Sequence, residues 1–101
     1  MSAVIQPNDH ADDDIGQFRA RLRNPDSAVR RIAILDLIDV AGDEHAPLLV
    51  EALGDPSPEV RLEAARALEA FESDDSVAGL IVLLTDEDTE VREAAAHALS
   101  E

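Results

Sequence analysis

Residues 53–68 read Leu53-Gly54-Asp55-Pro56-Ser57-Pro58-Glu59-Val60-Arg61-Leu62-Glu63-Ala64-Ala65-Arg66-Ala67-Leu68, and the chain says this phrase three times. The copies begin at Leu22, Leu53 and Leu84, a constant 31 residues apart. Five columns are identical in that register: Leu22/Leu53/Leu84, Val29/Val60/Val91, Arg30/Arg61/Arg92, Ala33/Ala64/Ala95 and Leu37/Leu68/Leu99. Asn24/Asp55/Asp86 forms a sixth column with one change. A period of this length is the mark of a stacked repeat, in which each unit buries its apolar face only against its neighbours.

Working outward from the phrase, each copy holds two helical patterns. Ile15, Phe18 and Leu22 fall on one helix face, and so do Ala46, Leu49 and Leu53, then Val77, Leu80 and Leu84. These predict short first helices over about 14–23, 45–53 and 76–84. Pro47 falls in the first turn of the second of these, where a missing N–H costs little. Gly54 lies just past its end and is expected to stop it in a left-handed conformation. Asp26, Ser57 and Asp88 occupy equivalent positions, and each residue type makes a good N-cap. Longer second helices are then expected over about 27–41, 58–72 and 89–100, with Pro58 at the first position of the middle one. Their apolar stripes are Val29, Ile32, Ala33 and Leu37, then Val60, Ala64, Ala67, Leu68 and Phe71, then Val91, Ala95, Ala98 and Leu99. The polar linkers Gly42-Asp43-Glu44 and Ser73-Asp74-Asp75 are short enough to force neighbouring helices antiparallel. The expected fold is all-α, six helices in three stacked hairpins.

The 101 residues suffice for one domain. Residues 1–13 lack periodicity, and with Asp9 and Asp12-Asp13-Asp14 nearby they read as a flexible acidic arm before a repeat domain over 14–101. Nothing approaches the roughly 20 apolar residues that span a bilayer, and Met1–Pro7 does not look like a secretory leader. The absence of cysteine removes disulfides and thiolate chemistry, making the cytoplasm the default compartment. Eight arginines and no lysine stand against 23 acidic residues, for a formal charge of −15. That surface repels nucleic-acid phosphates and anionic lipid, and where it meets a partner it suits a basic protein.

The sequence carries no catalytic or metal-binding constellation. His10, His45 and His97 are never three or four residues apart, so no helical metal pair forms. No serine sits in a Gly-x-Ser-x-Gly elbow, and four glycines make no phosphate-cradling loop. The aspartates at 12–14 lack the alternating spacing and turn glycine of a calcium loop. The sequence reads as non-catalytic, with no cofactor and no metal.

The motif Leu-x-Asp-x-x-x-x-Val-Arg-x-x-Ala-x-x-x-Leu, read at Leu53 to Leu68 and again at Leu84 to Leu99, resembles the HEAT repeat family. Within it, the motif is similar to the short PBS-lyase HEAT-like type. The resemblance covers residues 15–100 and implies a right-handed α-solenoid that binds proteins. It also implies a structural ladder between repeats made by the Asp and Arg columns: Asn24 and Arg30, Asp55 and Arg61, Asp86 and Arg92. An arginine at the start of a second helix can donate to turn carbonyls and to an acidic residue just before it. Asn24 keeps an acceptor there but not the charge. An alternative implied by the resemblance is an accessory factor for attaching a bilin-type cofactor or maturing an enzyme, against which stand the shortness of the array and its two aromatics.

Function in a repeat array is sought where the copies differ. Arg19 and Arg21 replace the apolar Val50/Ile81 and Ala52/Leu83, as an N-terminal capping repeat requires. At the other end Val82 and Ala94 replace Glu51 and Glu63, and the helix Val77–Leu84 is apolar nearly all round. This predicts that the end around Val82, Leu83 and Ala94 stacks on a second copy or a client. In solenoids of this family the second helices line the concave side, where Ile32, Leu35 and Ile38 precede Glu63, Arg66 and Glu69, then Ala94, His97 and Ser100. An apolar stripe rimmed by Arg31, Glu63 and Arg66 suits a peptide or helix, unless Val4 and Ile5 of the arm fold back over it.

Overall fold

The computed structural model describes residues 15–40, 43–71 and 73–100. The arm expected at 1–13 lies outside them. Six α-helices occur among the described residues: α1 (15–21), α2 (Ser27–Val40), α3 (Ala46–Ala52), α4 (Pro58–Ala67), α5 (Asp74–Leu83) and α6 (Thr89–Ser100). A 3₁₀ turn, Asp43–His45, leads into α3, and another, Leu68–Ala70, tightens the end of α4. No strand occurs among the described residues. α3 lies against α4 and α5 against α6, while α2, α4 and α6 pack side by side, giving a solenoid of helical hairpins.

The helix boundaries follow local chemistry. Pro58 occupies the first turn of α4, as its fixed φ favours. Side chains cap two of the second helices: Asp26 Oδ1 accepts from the Ala28 N–H at 2.9 Å and Asp88 Oδ1 from the Val91 N–H at 3.1 Å. Ser57 holds the N-cap position of α4 without a side-chain hydrogen bond. α5 begins two residues earlier than its apolar pattern suggests, because Ser73 and Ser76 form a reciprocal capping box.

Gly54 does not stop α3 as expected, for no described glycine has a positive φ. Instead the helix tightens into 3₁₀ bonds, from Gly54 N–H to the Glu51 carbonyl and from Asp55 N–H to the Ala52 carbonyl. The same bonds follow α1, at Arg23 and Asn24, and α5, at Thr85 and Asp86. A right-handed 3₁₀ stop accepts any residue, which is why arginine and threonine can replace Gly54 in the other copies.

Ile34, Leu37, Leu48, Leu49, Val60 and Val91 are buried at the centre. Ala33, Ala64 and Ala95, one identical column, are fully buried too, and their small side chains let α2, α4 and α6 approach closely. Gly79 does the same for the first helices. A Cβ there would stand 2.6 Å from Leu53 Cδ1, so Leu53 fills the space that glycine leaves.

Candidate functional site

Two surfaces use charge. The first is the seam along the interhelical turns. In all three copies the Asn24/Asp55/Asp86 side chain closes its own turn, accepting from the backbone N–H two residues on at 2.8–2.9 Å. The arginine six residues later reaches back to the same residue's carbonyl: Arg30 to Asn24, Arg61 to Asp55 and Arg92 to Asp86, each at 2.7 Å.

The carboxylate that Arg30 and Arg61 each meet belongs to the next repeat, not to their own. Arg30 binds Asp55 with two parallel bonds, Nε to Oδ2 at 2.9 Å and Nη2 to Oδ1 at 3.1 Å. Arg61 meets Asp86 with one hydrogen bond, Nη2 donating to Oδ1 at 3.1 Å. Its Nε lies 2.9 Å from Oδ2, close enough for an ion pair though out of line for a hydrogen bond. These pairs are only 9–11% exposed. Asp86 therefore sits under two opposing influences. Burial raises its pKa; the Asp88 N–H, Arg61 and Arg92 outweigh that and hold the carboxyl below the ordinary value of 3.8. No arginine of an earlier repeat bridges the Asn24 side chain among the described residues, so it needs an acceptor for its turn but no charge.

The second surface is the outward face of α2, α4 and α6. Ile32, Leu35 and Ile38 lie along one flank of α2 and are 50%, 38% and 42% exposed. Further along, Arg66, Glu69, Glu90, Glu93, Ala94 and His97 line an open trough of ≈ 640 Å³. His97 Nδ1 of α6 contacts Glu69 Oε1 of the 3₁₀ turn that ends α4. The apolar flank and the charged trough thus share one helix layer.

Two expected site residues lie elsewhere. Glu63 is not an open rim charge: it is buried, with Arg31 Nε 3.3 Å from its Oε2. Leu83 is not on the surface either. It points into the core at 4% exposure, as Ala52 does one repeat earlier, while Val82 beside it is 69% exposed. The apolar C-terminal end is carried instead by Ile81 and Leu84, which the pattern of copies in register would have singled out once their neighbours' burial was known.

Arg19 and Arg21 also do more than face water. Arg19 reaches Glu51 of α3 at 3.1 Å. Arg21 pairs with Asp36 of α2 at 2.6 Å and stands over the Phe18 ring, 5.5 Å from its centroid.

Among the described residues there is no group of three or more His, Cys, Asp or Glu side chains that could hold a metal ion. No described helix is long and apolar enough to cross a membrane. A family model for HEAT repeats matches residues 15–101, so the chain belongs to the HEAT repeat family. No curated protein matches the sequence.

Proposed function

We propose that this HEAT-repeat chain is a small non-catalytic adaptor that binds a partner protein on the outward face of its second helices. The observation that carries the reading is the exposed flank Ile32, Leu35 and Ile38, in a fold whose other second helices turn most of their apolar residues inward. Three large side chains at three-residue spacing suit the apolar ridge of a partner helix or peptide laid along α2. The trough beyond it offers Glu69, Glu90 and Glu93 against Arg66 and His97. With the chain's formal charge of −15, this favours a partner with basic residues beside its apolar ridge.

Immobilised full-length chain, compared with its Leu35→Asp variant and with Val82→Asp as a control on the opposite helix layer, tests the reading in native lysate. The expected outcome is a set of proteins lost with Leu35→Asp and kept with Val82→Asp. Identical sets from all three would end the proposal. Deleting residues 1–13 separates the remaining occupant: a gain in capture on deletion means that the arm competes for the flank, and a loss of thermal stability means that it covers it permanently.

A further inference from the structure

The described residues form two complete inter-repeat junctions, and these define what a junction needs. The residues of one repeat that its successor covers are Leu53, Ala65 and Leu68 in the second copy, 5%, 0% and 2% exposed. Ile34 and Leu37 are covered likewise in the first, both at 0%. The electrostatic part is an arginine bridged by an aspartate 25 residues further along the chain, Arg30 through two hydrogen bonds to Asp55 and Arg61 through one hydrogen bond and a close ion pair to Asp86.

The third copy has every donor part of a junction. Leu84 and Ala96, in the columns of Leu53 and Ala65, are exposed, Leu84 at 40%. Ile81 is 53% exposed, where Val50 in the same column is half-buried. Leu53 fits against Gly79 of the following helix, but Leu84 meets no such helix among the described residues. Arg92 makes its usual bond to its own turn, Nη1 to the Asp86 carbonyl at 2.7 Å. Its Nη2, which in Arg30 and Arg61 binds the next aspartate, donates at 3.0 Å to the neutral Thr89 hydroxyl. No carboxylate bridges Arg92 among the described residues.

The geometry points to this end face, Ile81, Leu84, Ala96, Leu99 and Arg92, as a docking site for an α-helical hairpin that carries an aspartate in its interhelical turn. The aspartate bridges Arg92 while a small residue on the hairpin's first helix admits Leu84, as Gly79 admits Leu53. The occupant is identified by two matched junctions in the same molecule: they supply its shape, its charge and the position of that charge relative to its apolar contact. A second copy of this chain fits less well. It would offer Asn24 rather than aspartate at the corresponding turn, and it would bring a second formal charge of −15. This site is separate from the flank of α2, so either can fail while the other stands.

The test extends the full chain with a copy of residues 71–101 placed after Glu101, which keeps the 31-residue register. Hydrogen exchange then reads the opening of the appended hairpin. Its turn aspartate, which repeats Asp86, is changed to Asn with Arg92 intact and again with Arg92→Gln. A charge-assisted fork predicts that the Asn change raises opening about tenfold when Arg92 is present and leaves it unchanged when Arg92 is Gln. An appended hairpin that exchanges like an unfolded peptide overturns the inference, and so does an Asn effect of equal size in both backgrounds. Sedimentation of the unextended chain at high micromolar concentration should show a monomer. A dimer that Leu84→Glu dissolves and Arg92→Gln does not would give the face to a second copy instead.

Discussion

Arg61 and Arg66 lie on the same helix, and their surroundings show how differently the two sides of the solenoid use charge. Arg61 faces the turn seam, where it is 9% exposed and held by Asp86 and by the Asp55 carbonyl. Arg66 faces outward in an open trough among Glu69, Glu90 and Glu93. On the seam a charge is desolvated and is tolerated only because a carboxylate and backbone carbonyls answer it in fixed geometry. On the outward face water screens the charges, which leaves the side chains available to something else. The comparison teaches that identical columns record stacking and variable columns record exposure.

The sharpest way to break that comparison is to truncate one arginine on each side. Arg61→Ala strands a buried Asp86 carboxylate and an Asp55 carbonyl, and is expected to cost about 3 kcal/mol. Arg66→Ala is expected to stay within about 0.5 kcal/mol. Urea unfolding of the two variants measures both. Equal costs would mean that the seam is no more structural than the outward face.

A second, smaller effect belongs to acid. The Asp86 carboxyl is held below 3.8 in the folded chain, so the stability it contributes is present in full above that value. It is lost as pH falls from 3.8 through the lower folded value, where protonation releases Arg61. Asp86→Asn removes the ionisable group, so the stability gap between parent and variant should be wide at pH 6 and narrow steadily in the acid range below about pH 4. A gap that does not change with pH would show that the bridge contributes through its shape alone, not its charge.

Much of this was legible in the repeat. A column such as Ala33/Ala64/Ala95 announces stacked helical hairpins because a residue buried the same way in each copy is held alike. The partner of each arginine was not legible. An acidic residue lies six positions before Arg61 and another 25 after it, both in the same column, and only the stacking of repeats decides that the later one supplies the carboxylate. Leu83 was misread for a related reason. On a helix apolar nearly all round, sequence does not say which side meets α6, and the structure turns Leu83 and Leu80 inward while leaving Ile81 and Val82 out. Glu63 reads in the sequence as a rim charge, and its burial is not legible there because it depends on Arg31, 32 residues earlier and folding over it from α2.

That last pair lies between the two extremes, and it sharpens the comparison with the smallest effect. Glu63 has only 12% of its side chain exposed, like a seam residue, whereas Arg31 is 44% exposed, like an outward one. Its Oε2 receives a single bond from Arg31, at 3.3 Å, instead of a fork. If burial of one partner were enough to make a structural bridge, Arg31→Ala would cost as much as Arg61→Ala. A half-solvated single contact predicts less, about 1 kcal/mol, because water can reach the carboxylate once the guanidinium has gone. Glu63→Gln should cost less still, since the amide oxygen still accepts from Arg31 Nε and no buried charge remains to be answered. The order Arg61→Ala, then Arg31→Ala, then Glu63→Gln in urea midpoints is therefore the expected one. Were Glu63→Gln to match Arg61→Ala, the α2–α4 contact would belong to the seam's class, and the outward face would begin only at Arg66.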